Sequence, residues 1–343
     1  MKKRIFKFLA LFLAVSISIF TVGCTEDNTL YFNNDFLGGG AVSDAPMDYT
    51  ESLTYDVTYT PAFEKVKKAD ILTQKAVNYN FTGTFEMNFS SSLSIPEEYA
   101  LEIDGESQVY CLTSTLTLNA WYDLEGTFAE GYTEVNGGKQ YVDTIKSKVY
   151  FLPKGHSFAP IVSTVEQDYT SLFASNSKFE VAKTKTSSKT VYKNNSYTTT
   201  LTYPDGSQRV STCDYEFKTA IDNAQFLFAL RNLTVNSGTV NIANLPVITP
   251  AYDSPQTLSV TNKAENTTSW TIDGVQADYV VKNLLVYRQD AYNRGLSQYL
   301  LVTKTTNDTP QLKSQVLQYA YPLLTYGTNN QMGALVYKLV SVK

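Results

Sequence analysis

Histidine is all but absent from this sequence: His156 stands alone in 343 residues. A Ser-His-Asp hydrolase brings its base histidine to the nucleophile from elsewhere in the chain. His156 instead lies beside Ser157 in Gly155-His156-Ser157-Phe158-Ala159, a near-match to the Gly-x-Ser-x-Gly elbow. That elbow is a strand-to-helix turn, whereas Pro160 follows at once, so the stretch reads as a loop between strands. Ser175 to Lys178 fits a bare Ser-x-x-Lys pattern but lies in a polar linker before a strand, with no apolar helix behind it. One histidine and no Cys-x-x-Cys exclude the common zinc and haem signatures. For calcium the candidate stretches are Asp104-Gly105-Glu106 and Asp205-Gly206, and both read as turns. The sequence points to no metal and no cofactor.

Charge and cysteine are scarce as well. Charged residues make up 18% of the chain, below the usual quarter. Of three cysteines, Cys24 lies near the start, which leaves Cys111 and Cys213. An even remainder in an exported chain permits one disulfide, with two unpaired buried thiols as the alternative. No long apolar run is present either. Phe8 to Phe20 is too short for the ~20 residues a membrane-spanning helix requires.

What is present at the start is a basic n-region (Lys2, Lys3, Arg4, Lys7), that short apolar h-region, then Gly23 and Cys24. This is the layout of a signal peptide, and Gly23-Cys24 resembles the lipobox of bacterial lipoproteins. Thr21 and Val22 stand where that pattern has Leu and a small residue. The resemblance covers about the first 24 residues. It implies cleavage before Cys24, diacylglyceryl on its thiol, and a body held at the extracytoplasmic face of the cell membrane by acyl chains. Residues 1–23 are then the signal peptide. Residues 24–50, polar and with Gly38, Gly39 and Gly40 in a row, read as a flexible tether. The glycines lack the preceding strand and following Lys-Ser/Thr of a phosphate loop. Loss of the leader's four basic residues lowers the formal charge from −5 to −9. Such a body is expected to be repelled by nucleic acid and by anionic headgroups.

The body is dominated by strand signals. Tyr79, Phe81, Phe85, Met87 and Phe89 alternate with polar residues, and Gly83 marks a bulge or a close approach. Tyr110, Leu112, Leu116, Leu118 and Tyr122 share another face. Asn136-Gly137-Gly138 and Pro204-Asp205-Gly206 are turn signals. Residues 335–342 are apolar on both faces, as in a central strand. Two helices are expected. One runs over 61–76, opened by Thr60-Pro61. The other runs over 222–232, opened by an Asp222/Gln225 capping box and apolar nearly all round. The fold class is therefore mainly β: antiparallel sheets forming a curved half-barrel or a sandwich, with two or three short helices. The polar cluster at residues 175–177 divides the body into lobes 51–175 and 176–343.

This inventory favours a binding or scaffold module over an enzyme. A concave β surface suits a hydrophobic or lipid ligand, with Phe85, Phe89, Phe226 and Phe228 as the groove, as in lipoprotein carriers by analogy of fold. A glycan or a surface protein is the other partner class, and a carbohydrate-active protein with two facing carboxylates is the alternative. Most of the 25 tyrosines and 18 phenylalanines are expected to pack in the core and across strands. Asn-x-Ser/Thr at Asn80, Asn88, Asn194, Asn232, Asn266 and Asn307 reflects an Asn- and Thr-rich composition.

Overall fold

The computed structural model describes residues 49–61, 77–94, 108–152, 158–175, 178–193, 195–215, 220–232, 242–249, 255–288, 297–303, 315–324 and 331–343. The expected helix over 61–76 and most of the 155–159 stretch lie outside them.

The strands are β1 (Thr50–Thr60), β2 (Val77–Ser94), β3 (Gln108–Leu124), β4 (Gly126–Phe128), β5 (Thr133–Val135), β6 (Gly138–Phe151), β7 (Pro160–Ser175) and β8 (Lys178–Lys193). They continue with β9 (Ser196–Thr202), β10 (Gln208–Asp214), β11 (Ile221–Asp222), β12 (Ile242–Ile248), β13 (Gln256–Ile272) and β14 (Val275–Tyr287), and end with β15 (Gln298–Thr303), β16 (Val316–Leu324) and β17 (Gln331–Val342). Antiparallel pairings connect them side by side as β10-β9-β8-β7-β6-β3-β2-β1-β17-β16-β15-β14-β13-β12. The result is one open sheet. β11 adds a short parallel pairing to β12. After Glu125 the chain continues as β4 and pairs in parallel with β8, which folds that end of the sheet back on itself.

Local chemistry fixes the hairpins. Asn136 and Gly137 take φ 50° and 79° between β5 and β6, the positive φ pair of a type I′ turn, which matches strand twist. Gly206 (φ 79°) and an Asp205 side chain accepting from the Ser207 N–H shape the β9–β10 turn. Gly83 is a close approach within an unbroken register: a Cβ there would sit 1.9 Å from the Thr117 carbonyl oxygen. The apolar C-terminal stretch is central, since β17 lies between β1 and β16. That contact joins the first described strand to the last and makes the two expected lobes parts of one sheet. The β7–β8 ladder runs as far as Ser175 opposite Lys178.

Two or three short helices are expected from sequence, and the one over 61–76 lies outside the described residues. Among the described residues there is one helical segment, a 3₁₀ turn over Asn223–Gln225 that runs into α1 (Phe226–Asn232). No helix among the described residues is long and apolar enough to cross a membrane.

Candidate functional site

α1 and its cap gather charged and aromatic side chains from β1, β2, β6, β7, β8 and β16. The helix starts where the sequence places it. The Asp222 side chain accepts from the Ala224 N–H at 2.7 Å, and the Asp222 N–H donates to Gln225 Oε1 at 3.0 Å. This reciprocal pair satisfies donors that a helix start otherwise leaves orphaned. Gln225 also donates through Nε2 to the Phe158 carbonyl at 3.0 Å.

Asp222 anchors the helix as well as capping it. Its Oδ2 accepts from the Ser163 hydroxyl on β7 at 2.5 Å and from the Tyr192 hydroxyl on β8. Burial, the largest influence, holds this carboxyl above its ordinary value, while the three donors pull the other way. A carboxyl raised in the folded state contributes stability that is complete below its unfolded value of about 3.9 and is lost as pH rises through the folded value. Asp222→Asn keeps a capping oxygen and cannot titrate. Urea midpoints measured from about pH 4 to neutrality should therefore show the parent losing ground to the variant as pH rises. A constant gap between the two would show that Asp222 is not raised.

The far end of α1 carries the other anchor. Arg231, fully buried, donates to Glu51 on β1 through both terminal nitrogens, at 2.6 and 3.1 Å. Gln315, just before β16, donates to Glu51 Oε1 at 2.5 Å, and Tyr49 donates to the same oxygen at 3.4 Å. Burial pushes the Tyr49 phenol to about 12, with the Glu51 charge adding to the shift. A buried ion pair costs several kcal/mol per ion in lost hydration, so it persists only when the geometry is good and further donors complete it. Here a bidentate guanidinium and an amide do so. A third buried carboxyl, Asp143 on β6, accepts from Thr170 at 2.7 Å, and Thr170 in turn meets the Tyr122 hydroxyl at 3.2 Å. Burial is the main cause that raises it.

Between the two anchors lies an aromatic network. Phe228 stacks on Phe89 at 4.7 Å and meets Phe151 and Phe158 edge-on, both at 5.6 Å. Phe226 faces Tyr319 on β16 at 6.2 Å. Phe85 meets Tyr55 at 5.8 Å and Tyr337 at 5.5 Å. The four phenylalanines proposed from sequence thus share one hydrophobic cluster, Phe85 half-buried and the others buried. The helix itself, rather than an open groove, occupies the space between them. The residues that sequence reasoning missed are Glu51 and Gln315, which lie 180 and 264 positions from their partners. The one local signal was Arg231, a lone charge in an otherwise apolar helix.

The Cys111–Cys213 disulfide that the sequence permits does not form, and the alternative of two unpaired thiols holds. Both thiols are free, Cys111 buried on β3 and Cys213 half-buried on β10. Four strands separate them in the sheet. At about 4.8 Å per strand that lies beyond the ~7 Å Cα reach of a disulfide. Burial pushes the Cys111 thiol up to about 11, so it packs as a small apolar group. Among the described residues no group of three or more His, Cys, Asp or Glu is placed to hold a metal ion. Asp205, one of the calcium candidates, spends its carboxylate on Ser207 in the β9–β10 turn.

No protein-family model matches this chain, and no curated protein matches it. Among solved structures it is similar to a beta-barrel-like protein of Brucella abortus described as a domain of unknown function, DUF1849. The sequence identity is 10% and the TM-score 0.45, over 87% of this chain and 98% of that one.

Proposed function

We propose that this chain is a lipid-anchored protein of the extracytoplasmic face, held through Cys24, whose β body binds or scaffolds a partner and turns over no substrate. The observation that carries the reading of the body is the commitment of its interior carboxylates to structure. Glu51 is spent on Arg231, Asp222 on the helix cap and two hydroxyls, and Asp143 on Thr170. A two-carboxylate hydrolase needs a pair of acids facing each other ~5–9.5 Å apart across an open cleft. Here Asp222 and Glu51 are tied to opposite ends of α1.

The partner this interior suits is apolar. Phe85, Phe89, Phe226 and Phe228 belong to one continuous cluster, and a hydrophobic ligand would enter by exchanging contacts with α1. Native mass spectrometry of the protein extracted gently from its membrane tests this. The expected result is a small apolar molecule bound to the body and lost on denaturation. Turnover of a glycan, abolished by one Asp or Glu substitution and with no bound apolar molecule, would carry the hydrolase reading instead.

A further inference from the structure

The face of the sheet turned away from α1 carries a concentration of lysine that the acidic overall charge conceals. On β6, Val149 and Phe151 are buried toward the helix side, and the alternate residues Lys146 and Lys148 are exposed on the other. On β8, Thr190 and Tyr192 are buried, and Lys185 and Lys189 are exposed. Register aligns them into rows. Lys148 lies opposite Thr164, which lies opposite Lys189; Asp168 in turn lies opposite Lys185. Lys183 and Lys193 extend the same face of β8. Across these three strands six lysines meet two outward carboxylates: Glu166 lies opposite Lys146, and Asp168 is engaged by Lys183 at 3.0 Å and by Lys185 at 3.9 Å. Thr144, Thr164 and Ser187 lie among the lysines, and Tyr150, Val162 and Val191 form an apolar end to the face. A groove of about 330 Å³ opens among these rows, its lining balanced between Lys146 and Lys185 and the carboxylates Glu166 and Asp168, with Tyr203 and Pro204 at its β9 end.

We propose that this lysine face is the surface the body lays on an anionic lipid bilayer. Strand spacings of about 4.8 Å and residue spacings of about 3.4 Å put Lys146, Lys148, Lys185 and Lys189 within a patch roughly 10 by 14 Å. That is close to one Debye length at physiological salt. At contact the bilayer therefore responds to the net positive charge left after Glu166 and Asp168 offset part of this patch, while the acids elsewhere on the body are screened. Each lysine held near an anionic surface adds about 1 kcal/mol of attraction, or about fivefold in partitioning. The choice of a bilayer over other polyanions rests on the reading of Cys24 as the lipid anchor, which keeps the body beside one.

The full chain carrying Cys24→Ser, which has no acylation site, is sedimented with vesicles of phosphatidylcholine alone and with phosphatidylglycerol mixed in. Lys146→Gln/Lys189→Gln is compared with Lys263→Gln/Lys338→Gln, which removes the same charge from exposed positions on other strands. Binding to the anionic vesicles should fall at least about tenfold in the first pair and little in the second. Lys146→Arg/Lys189→Arg, checked for fold by circular dichroism, should keep the parent's binding. Equal losses in the two Gln pairs, or no preference for the anionic vesicles, would overturn the proposal. So would a gain on soluble polyphosphate with none on vesicles, which would give the face to a soluble polyanion. Because this assay uses no acyl anchor, its failure leaves the anchoring of Cys24 standing, and the reverse holds as well.

Discussion

Arg231→Ala should lower the stability of the fold by about 3–5 kcal/mol, because it leaves the Glu51 carboxylate buried without its counter-charge. The parent pair is short and bidentate and completed by Gln315, so nothing nearby can take over the guanidinium's two donors. Water could do so only if β1 and α1 separated. Glu51→Ala should cost a similar amount for the converse reason, an orphaned cation. Replacing both, as Glu51→Leu with Arg231→Met, should bring stability back above either single variant, since well-packed apolar pairs often equal buried ion pairs. Urea unfolding followed by circular dichroism reads all four proteins. A loss below about 1 kcal/mol in both single variants is the value of an exposed pair, and it would place Arg231 at the surface instead of between the halves of the sheet.

Phe228→Ala should cost about 3–5 kcal/mol, the range for removing a large buried aromatic. Phe228 is fully buried and touches rings from β2 and β6 as well as Phe158. Removing it takes away both the apolar transfer energy and the stacked contact with Phe89, worth ~0.5–1.5 kcal/mol beyond area alone. The surrounding strands are held by their ladders and cannot collapse onto the space. Phe85→Ala, at a half-buried position, should cost distinctly less. Thermal unfolding orders the two. Similar small shifts for both would mean that the helix leans on the sheet without plugging it.

Much of this arrangement is legible in the sequence because it is local. Alternation of ring and polar side chains over 79–89 is period two, and the structure buries Phe81, Met87 and Phe89 on one side. Asn136-Gly137 and Pro204-Asp205-Gly206 carry their own backbone geometry. The Asp222/Gln225 box predicts the helix start to the residue. What is not legible depends on pairings between distant segments. β1 meets β17 across most of the chain, which turns two expected lobes into one sheet, and no local pattern encodes that contact. The same is true of Glu51, whose exposure looks ordinary in a Thr-rich strand until Arg231 is brought to it. The lysines of β8 are visible as a spaced run, yet only the register with β6 shows that they share a face with Lys146 and Lys148. Cys111 and Cys213 show the limit of counting: an even number permits a bond, and four intervening strands forbid it.

The proposed anchoring through Cys24 would place this body at a membrane, and the intact mass of the protein extracted from its native membrane tests it most directly. The account predicts a chain beginning at Cys24, heavier than its amino acids by a diacylglyceryl group with or without an N-acyl chain. It also predicts that Cys24→Ser abolishes this product and removes the acyl-dependent hold on the membrane fraction. A mass equal to the unmodified chain, or a mature terminus at any other residue, would contradict it.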